Sequence, residues 1–250
     1  MRLKDQVAIV TGAASGFGAE IARQYVAEGA KVAVADINEA GAKEVAAGLG
    51  ANAIAVKCDV TRRADIDALV AATLKAFGSL QIVVNNAGWT HRNQPLLDVD
   101  EATFDKVYDI NVKSIFHMVH AVVPLMRKAR HGVILNVGST AGIRPRPGLT
   151  VYNSSKGAVI LMSKSMAAEF GPDRIRVNCV NPVFSPETAL SADFAGGAVT
   201  EEAKKRFLAT IPLGRFSTPL DVANACLYLA SDEASLVSGV CIEVDGARCV

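Results

Sequence analysis

Residues 7–18 constrain the fold of this chain more than any other segment. Their sequence is Val-Ala-Ile-Val-Thr-Gly-Ala-Ala-Ser-Gly-Phe-Gly. The four apolar residues predict a short buried strand, and the apolar spacing over 19–27 predicts a helix. A glycine turn between strand and helix directs free backbone N–H groups and the positive helix end toward one point, where a pyrophosphate can bind. Glycine suits this turn because a Cβ would keep the phosphate away and because the turn favours positive φ.

The spacing Gly-x-x-x-Gly-x-Gly differs from the dinucleotide fingerprint Gly-x-Gly-x-x-Gly, and such a turn also serves as an ordinary strand–helix connection. The next predicted strand, 31–35, favours the binding interpretation because it ends at Asp36. An acid at this place can accept hydrogen bonds from both ribose hydroxyls of an adenosine. It would also repel a 2′-phosphate, so it favours NAD over NADP. The alternative is that Asp36 caps the following helix.

Strand and helix patterns alternate along the rest of the chain. Further strands are predicted at 53–58, 80–84, 133–137, 175–180 and 240–244. Further helices are predicted at 39–49, 64–77, 101–130 with a candidate break at Asn111, 151–170 and 220–230. This alternation predicts an α/β fold in one domain, 1–250, with a doubly wound parallel sheet covered by helices on both faces. A ligand is expected at the carboxyl ends of the strands, near the switch in strand order.

Residues 186–211 depart from this rhythm. Gly196-Gly197 is predicted to divide two short helices. An irregular insertion after a strand end, over the expected cleft, suggests a substrate lid. The alternative is a surface excursion without a role in binding.

Composition excludes several classes of function. The chain has 250 residues and is 50% hydrophobic, with 26 basic and 25 acidic residues. This balance argues against a nucleic-acid or membrane-surface partner, and no apolar run approaches the roughly 18 residues of a membrane span. Polar residues follow Met1 at once, so we expect no signal peptide and a cytoplasmic location.

The metal-binding residue types form no site pattern. The five cysteines are scattered without a Cys-x-x-Cys pair, which is typical of buried thiols in a reducing compartment. The four histidines form no ligand pattern with an acid. The sequence therefore predicts no metal site.

Tyr152 and Lys156 open a predicted helix and share one of its faces. A cation one turn from a phenol favours the phenolate and lowers its pKa, which would make Tyr152 a usable general acid or base. Taken alone, the pair is common on exposed helix faces. Ser139 follows a predicted buried strand, where its hydroxyl can bond a reacting carbonyl or merely cap a turn.

Taken together, these segments resemble the short-chain dehydrogenase/reductase family, in its compact single-domain branch. The resemblance extends from about Leu3 to Gly246 and depends on these motifs in this order: Thr11-Gly12-x-x-x-Gly16-x-Gly18, Asp59, Asn85-Asn86-Ala87-Gly88, Asn111, Ser139, Tyr152-x-x-x-Lys156 and Asn181-Pro182. It implies a Rossmann fold with a seven-stranded parallel sheet. It also implies hydride transfer between a nicotinamide and a carbinol or carbonyl carbon.

The resemblance also implies roles for individual residues. Tyr152 would exchange the alcohol proton, Lys156 would lower its pKa and bind the nicotinamide ribose, Ser139 would orient the substrate oxygen, and Asn111 would kink its helix and hold a relay water. The cofactor would be held by Gly12, Ser15, Gly16, Phe17 and Gly18 at the pyrophosphate, Asp36 and Ile37 at the ribose, Asp59 and Val60 at the adenine, Asn86, Ala87 and Gly88 along the cleft, and Pro182, Val183 and Thr188 over the nicotinamide.

One departure from the family pattern is Val183, which stands where the family usually has glycine. Its side chain is expected to narrow the pocket beside the nicotinamide or to move the loop. Candidate substrate residues flank the motifs: Trp89, His91, Thr140, Arg144, Arg146 and Leu149. Trp89 is alternatively a core residue, and the two arginines are alternatively a solvated turn.

Three functions remain open from the sequence. The first, favoured by Asp36, is an NAD-dependent dehydrogenase of a secondary alcohol, polyol or hydroxy acid. The second is an NADP-dependent 3-oxoacyl-carrier-protein reductase, and the third is a non-catalytic nucleotide-binding protein. By resemblance, the expected partners are a small-molecule substrate and three further copies of the chain in a homotetramer, with the C-terminal tail near a neighbouring subunit's cleft.

Overall fold

The computed structural model describes residues 1–188 and 190–250, and these residues contain one seven-stranded parallel sheet. The strands are β1 (Val7–Thr11), β2 (Lys31–Asp36), β3 (Ala53–Lys57), β4 (Ile82–Asn85), β5 (Gly132–Val137), β6 (Ile175–Pro182) and β7 (Cys241–Val244). Their order in the sheet is β3-β2-β1-β4-β5-β6-β7. The chain thus moves outward from β1 in one direction and, after β3, crosses back to continue in the other. The predicted doubly wound Rossmann sheet is confirmed.

Helices cover both faces of the sheet. They are α1 (Gly16–Ala27), α2 (Glu39–Leu49), α3 (Arg63–Phe77), α4 (Glu101–Tyr108), α5 (Ser114–Ala129), α6 (Thr150–Phe170), α7 (Ser191–Ala195), α8 (Glu201–Leu208) and α9 (Pro219–Ala230). On one face, buried residues of α1, α2 and α9 pack against the sheet, and on the other face those of α3, α5 and α6 do so. Because both faces are covered, strands such as β1 are apolar throughout.

The predicted break in the long helix 101–130 is confirmed. A π-helical segment, Asp109–Lys113, separates α4 from α5 and contains the buried Asn111. The predicted division of 186–211 is also found, because α7 ends at Gly196 with positive φ and α8 follows. One residue of that segment, Ala189, lies outside the described residues. In the described chain, no helix has the length and apolar character needed to cross a membrane.

Candidate active site

A cavity of about 340 Å³ opens at the carboxyl ends of the strands, a size typical of small-molecule sites. It lies beside β1 and β4, where the strand order reverses. The glycine turn lines one end and Tyr152 lines the other. The position predicted from the alternation of strands and helices is therefore confirmed.

The glycine turn is held by a clamp between β1 and β4. The Asn86 side chain donates hydrogen bonds to the carbonyl oxygens of Thr11 (2.8 Å) and Gly12 (3.0 Å). In return, the Thr11 hydroxyl accepts hydrogen bonds from the backbone N–H groups of Asn86 and Ala87. These bonds fix the turn before any ligand binds, so the cost of ordering it is already met on folding.

The three glycines of the turn serve different purposes. Gly12 and Gly16 have φ of 62° and 55° and line the cavity, as the anion-binding interpretation requires. Gly18 does not line the cavity. A Cβ on Gly18 would lie 2.5 Å from the Asn86 amide nitrogen and 2.9 Å from Ala13 Cα, so Gly18 allows α1 to pack under the turn.

Asp36 stands at the end of β2 and faces the glycine turn. Its carboxylate accepts hydrogen bonds from the backbone N–H groups of Ala14 (3.0 Å) and Asn38 (2.9 Å). The alternative that Asp36 caps the next helix is wrong, because Asn38 is the N-cap of α2 and accepts from Gly41 N–H. Each carboxylate oxygen of Asp36 keeps a free lone pair for a further donor.

The rim beyond Asp36 contains the other residues predicted for the adenosine half. Ile37, Asp59 and Val60 all line the cavity. The Asp59 carboxylate is held by the backbone N–H and hydroxyl of Thr61 at 3.0 and 2.7 Å. Ile37 is 64% exposed, which leaves an apolar side chain at the rim for a flat apolar ring to cover.

Tyr152 and Lys156 lie in the first turns of α6, and both side chains are buried and line the cavity. The Lys156 ammonium donates to the carbonyl oxygen of Val137 (2.9 Å) and lies 5.8 Å from the centre of the Tyr152 ring. The alternative of an exposed helix face is therefore wrong, because both side chains point into the cleft.

Burial has a larger effect on the pKa of Tyr152 than any neighbouring charge. Burial raises the pKa of Tyr152 to about 12, and a hydrogen bond with Ser139 and the charge of Arg146 only partly oppose this. Burial also lowers the pKa of Lys156 to about 8. A phenol in this setting keeps its proton at neutral pH, so it can act as a proton donor.

Ser139 caps a turn and also lines the cavity. Its hydroxyl accepts a hydrogen bond from Ala141 N–H (3.1 Å) and so caps a short 3₁₀ turn. The same residue lines the cavity together with Tyr152. The Asn181 side chain accepts a hydrogen bond from Ser139 N–H (3.1 Å), which fixes the end of β5 against β6.

Asn111 lies beneath the cleft rather than in it. Its side chain accepts a hydrogen bond from Trp89 N–H (2.8 Å) and donates to the Trp89 carbonyl oxygen (2.9 Å) and the Ser155 hydroxyl (3.0 Å). These bonds use its amide to position Trp89 against α6. Asn111 does not line the cavity itself, and through these bonds it positions Trp89, which does.

The segment after β6 covers the cleft as the resemblance implied. Pro182, Val183 and Thr188 line the cavity, and a Cβ on Gly16 would lie 3.8 Å from Thr188 Cγ2. Val183 has no positive φ, so a side chain is tolerated where the family usually has glycine. Val183 packs with Phe184 and Ile211 and lines the cavity.

Of the six candidate substrate residues, only Trp89 and Arg146 line the cavity. Thr140 is buried in the 3₁₀ turn, and Leu149 packs beneath Tyr152. The His91 ring is buried and bonds the backbone carbonyl of Arg92, while the Arg144 side chain donates to the Arg248 carbonyl. The structure therefore does not bring these four side chains to the cavity.

The C-terminal tail packs on its own chain. The Arg248 side chain donates to the Thr210 hydroxyl (3.3 Å), and it is 6% exposed. The tail therefore braces the segment that follows α8.

The sequence interpretation missed the aromatic wall of the pocket. Phe184, which precedes the 186–211 segment, lines the cavity. Leu190 and Phe194, which lie within that segment, line it as well. The Phe194 ring meets the Tyr152 ring edge-on at 5.1 Å. The position of Phe184, next to Val183 over the predicted cleft, was the available signal. The described residues contain no cluster of three or more His, Cys, Asp or Glu side chains able to hold a metal ion.

This fold and site define a nicotinamide-dependent oxidoreductase. A family model described as enoyl-(acyl carrier protein) reductase matches residues 12–247. A 4-formylbenzenesulfonate dehydrogenase of Comamonas testosteroni is 50% identical, with 99% of each chain covered, and a 3-oxoacyl-carrier-protein reductase of Thermotoga maritima is 39% identical, with 98% of each chain covered.

A solved structure gives the same result. A 3-ketoacyl-(acyl-carrier-protein) reductase of Brucella melitensis in complex with NADH superposes with a TM-score of 0.93 at 40% identity, covering 99% of this chain and 100% of the other. The chain belongs to the short-chain dehydrogenase/reductase family. It is an NAD(P)-dependent dehydrogenase or reductase that acts on CH–OH groups or the corresponding carbonyls.

Proposed function

We propose that this enzyme uses NAD rather than NADP to interconvert a secondary alcohol or related carbinol with its carbonyl compound. The observation that carries the cofactor choice is Asp36, whose carboxylate faces the glycine turn with acceptor capacity left for ribose hydroxyls. A 2′-phosphate at the same place would meet a carboxylate of like charge. The proposal concerns the same cleft that contains Ser139, Tyr152 and Lys156.

The lining residues fit a nicotinamide dinucleotide. Gly12 and Gly16 expose backbone at the helix end, Asp36 and Ile37 face the adenosine side, and Lys156 lies at the opposite end. When bound, the cofactor would accept or supply the hydride. The further residues proposed to hold it are Ser15, Phe17, Asp59, Val60, Asn86, Ala87, Gly88, Pro182, Val183 and Thr188, with Gly18 acting beneath them.

Tyr152 is the proposed proton donor and acceptor. Its phenol keeps its proton at neutral pH, so in carbonyl reduction it donates that proton to the developing alkoxide oxygen. Ser139, which lines the cavity together with Tyr152, orients the same oxygen. Burial lowers the pKa of Lys156 to about 8, so its ammonium is largely charged at neutral pH. This cation stabilises the Tyr152 phenolate that forms when the proton has been donated.

The pocket wall favours an apolar substrate body. Trp89, Phe184, Phe194 and Leu190 surround the space beside Tyr152. Such walls give a polyol few hydrogen-bond partners, which is costly for hydroxyl groups taken out of water. The Comamonas testosteroni relative is named for an aromatic aldehyde. We propose that this chain also takes a substrate with an aromatic ring.

Exchange of Asp36 tests the cofactor choice. We expect wild-type kcat/KM to be at least about 10-fold higher with NAD than with NADP. In Asp36→Ala that ratio should fall at least about 10-fold, because both the ribose acceptor and the repelling charge are removed. Asp59→Ala at the same rim is the control and should leave the ratio within about threefold of wild type. An unchanged ratio in Asp36→Ala would overturn the assignment.

A 3-oxoacyl-carrier-protein reductase is the second candidate, supported by the relatives of that name. It would require reduction of a 3-oxoacyl thioester with NADPH, which Asp36 opposes. Turnover of acetoacetyl thioesters with NADPH at a kcat/KM above that of benzylic substrates with NADH would make this function the better one.

We also propose an assembly, a lid and a location. Phe104, Phe116 and Leu161 on α4, α5 and α6 are exposed apolar side chains, which supports a homotetramer built on these helices; a monomer in light scattering would refute it. We propose that 186–211 closes on substrate as a lid of the single domain. The scattered free cysteines support a reducing, cytoplasmic location.

A further inference from the structure

Arg146 is a partly buried cation at the Tyr152 end of the cleft. Its guanidinium lies 5.4 Å from the centre of the Phe194 ring and 4.9 Å from that of Phe207. Within 1–188 and 190–250, no Asp or Glu forms an ion pair with it. The one hydrogen bond found at this residue is accepted by its backbone carbonyl, from Asn153.

The charges of the cavity are divided between its two ends. The acidic lining residues, Asp36 and Asp59, stand at the glycine-turn side, whereas Lys156 and Arg146 are the cationic ones at the Tyr152 side. The Lys156 ammonium is committed to the Val137 carbonyl. Behind Arg146, the buried Arg248 adds a second positive charge. The Tyr152 end therefore has a net positive field that an anion would neutralise.

Burial and the neighbouring Arg248 lower the pKa of Arg146 to about 10. The guanidinium is thus a cation at neutral pH despite its partial removal from water. A partly buried guanidinium that donates no hydrogen bond to the described residues binds a carboxylate or sulfonate well, because planar bidentate hydrogen bonds form without displacing a protein partner.

The Phe194 ring lies between the Arg146 guanidinium and the Tyr152 ring. Phe194 contacts both the Tyr152 ring, edge-on at 5.1 Å, and the Arg146 guanidinium. Trp89 and Phe184 line the space on the other sides. An aromatic ring placed between Tyr152 and Arg146 would thus meet apolar walls, with its carbonyl at one end and its charged group at the other.

We infer that Arg146 is the substrate-anion residue of this enzyme, and that the substrate is an aryl carbinol or aryl carbonyl compound with a carboxylate or sulfonate distant from the reacting carbon. This inference rests on the proposed function for the carbonyl chemistry. It adds the negative charge of the substrate and the residue that binds that charge. A purely structural role, in which Arg146 braces the segment bearing Phe194 against Phe207, is the competing account.

Paired substrates separate these accounts. With NADH, kcat/KM is measured for para-acetylbenzoate, para-acetylbenzenesulfonate and the neutral para-methylacetophenone. Wild type should prefer at least one anion over the neutral ketone by roughly 10- to 100-fold, the range expected for charge-assisted hydrogen bonds. Whichever anion shows the larger ratio identifies the carboxylate or the sulfonate as the preferred group.

Arg146→Met should abolish this preference by raising KM for the anions about 10- to 100-fold while leaving kcat/KM for the neutral ketone within about threefold. Arg146→Lys should retain part of the preference for anionic substrates, because the positive charge remains but the planar pair of donors is lost. Arg144→Met is the matched control, because this neighbouring side chain points to the tail carbonyl and not into the cavity; it should keep the wild-type preference.

A binding measurement provides a readout that does not depend on turnover. Trp89 is the single tryptophan of the chain and lines the pocket, so its fluorescence reports occupancy by para-toluenesulfonate, which has no reacting group. Binding should weaken roughly 10- to 100-fold in Arg146→Met and remain unchanged in Arg144→Met.

The outcomes of the two proposals are distinguishable. If neutral ketones are reduced with NADH but wild type shows no anion preference and binds para-toluenesulfonate no better than Arg146→Met does, the inference fails and the proposed function stands. An equal loss for anionic and neutral substrates in Arg146→Met also overturns it in favour of the structural role. Loss of para-toluenesulfonate binding in that variant, in a protein that prefers NADPH, would support the anion site while refuting the proposed cofactor.

Discussion

Replacement of Gly18 by alanine tests whether tight packing under the glycine turn holds the cleft together. The new Cβ would lie 2.5 Å from the Asn86 amide nitrogen, 2.9 Å from Ala13 Cα and closer still to the Gly12 carbonyl oxygen. Two of these are backbone atoms, and the third belongs to the clamp that bonds Thr11 and Gly12. None can move without disturbing β1, β4 or α1.

The expected cost follows from these contacts. Overpacking of a rigid site costs about 1–3 kcal/mol, and each strained clamp hydrogen bond adds about 0.5–1.5 kcal/mol. The better helix propensity of alanine returns about 1 kcal/mol. Gly18→Ala should therefore lower the free energy of unfolding by about 1–5 kcal/mol, a large share of the roughly 5–15 kcal/mol of a typical domain.

Urea unfolding followed by circular dichroism, at fixed protein concentration, measures this loss. Gly48→Ala is the matched control, because Gly48 also lies inside a helix but its Cβ would meet no atom within 4 Å. That variant should gain about 0.5–1 kcal/mol. A Gly18→Ala protein within about 0.5 kcal/mol of wild type would refute the packing argument.

Three further predictions concern residues around and beyond the cleft. Lys156→Met should abolish turnover. It should also raise the free energy of unfolding at pH 7 by about 1–2 kcal/mol, because a buried cation with a lowered pKa opposes folding. When unfolding is measured at several pH values, this gain in stability should shrink as the pH rises from about 8 to 10 and Lys156 of the wild type loses its proton. Asn111→Ala should lower the free energy of unfolding by about 2–4 kcal/mol, because three hydrogen bonds of the Asn111 side chain disappear. Trp89 fluorescence should shift to the red in the same variant. Arg215→Gln removes the bidentate partner that holds the pKa of Asp221 well below its usual range; its stability deficit should be fully present at pH 7 in urea unfolding and should shrink progressively as the pH falls below about 4, the unfolded pKa of an Asp.

The fold could be predicted from the sequence because each face of the sheet is buried. Continuous apolar strands such as β1 alternate with helices, and this pattern has few topological solutions. Strand and helix ends shifted by one to three residues at several places, for example at β6, which extends to Pro182. The break at Asn111 was also predictable, although its geometry as a π-helical segment was not.

The side-chain directions in the site could not be predicted. Arg144 and Arg146 are two residues apart, yet one bonds the C-terminal tail and the other lines the pocket. The tail contact depends on Arg248, 104 residues further along, and no local pattern encodes it. The burial of His91 and Leu149 outside the cavity lining could not be predicted for the same reason.

The protonation state of Tyr152 shows a second limit. Spacing revealed the nearby Lys156 cation but not the burial of the phenol, and burial has the larger effect on its pKa. The capping role of Asn38 in place of Asp36 likewise depended on where α2 begins.

Transfer of deuteride from the carbinol carbon to the cofactor tests the central claim most directly. A benzylic alcohol deuterated at its carbinol carbon is incubated with NAD and enzyme, and the NADH formed is analysed by mass spectrometry. Wild type should yield NADH that carries the deuterium, and Tyr152→Phe should slow its formation by about 100-fold or more while still binding NADH, as monitored by Trp89 fluorescence. Labelled NADH formed by Tyr152→Phe at the wild-type rate, or unlabelled NADH formed by wild type, would contradict the account.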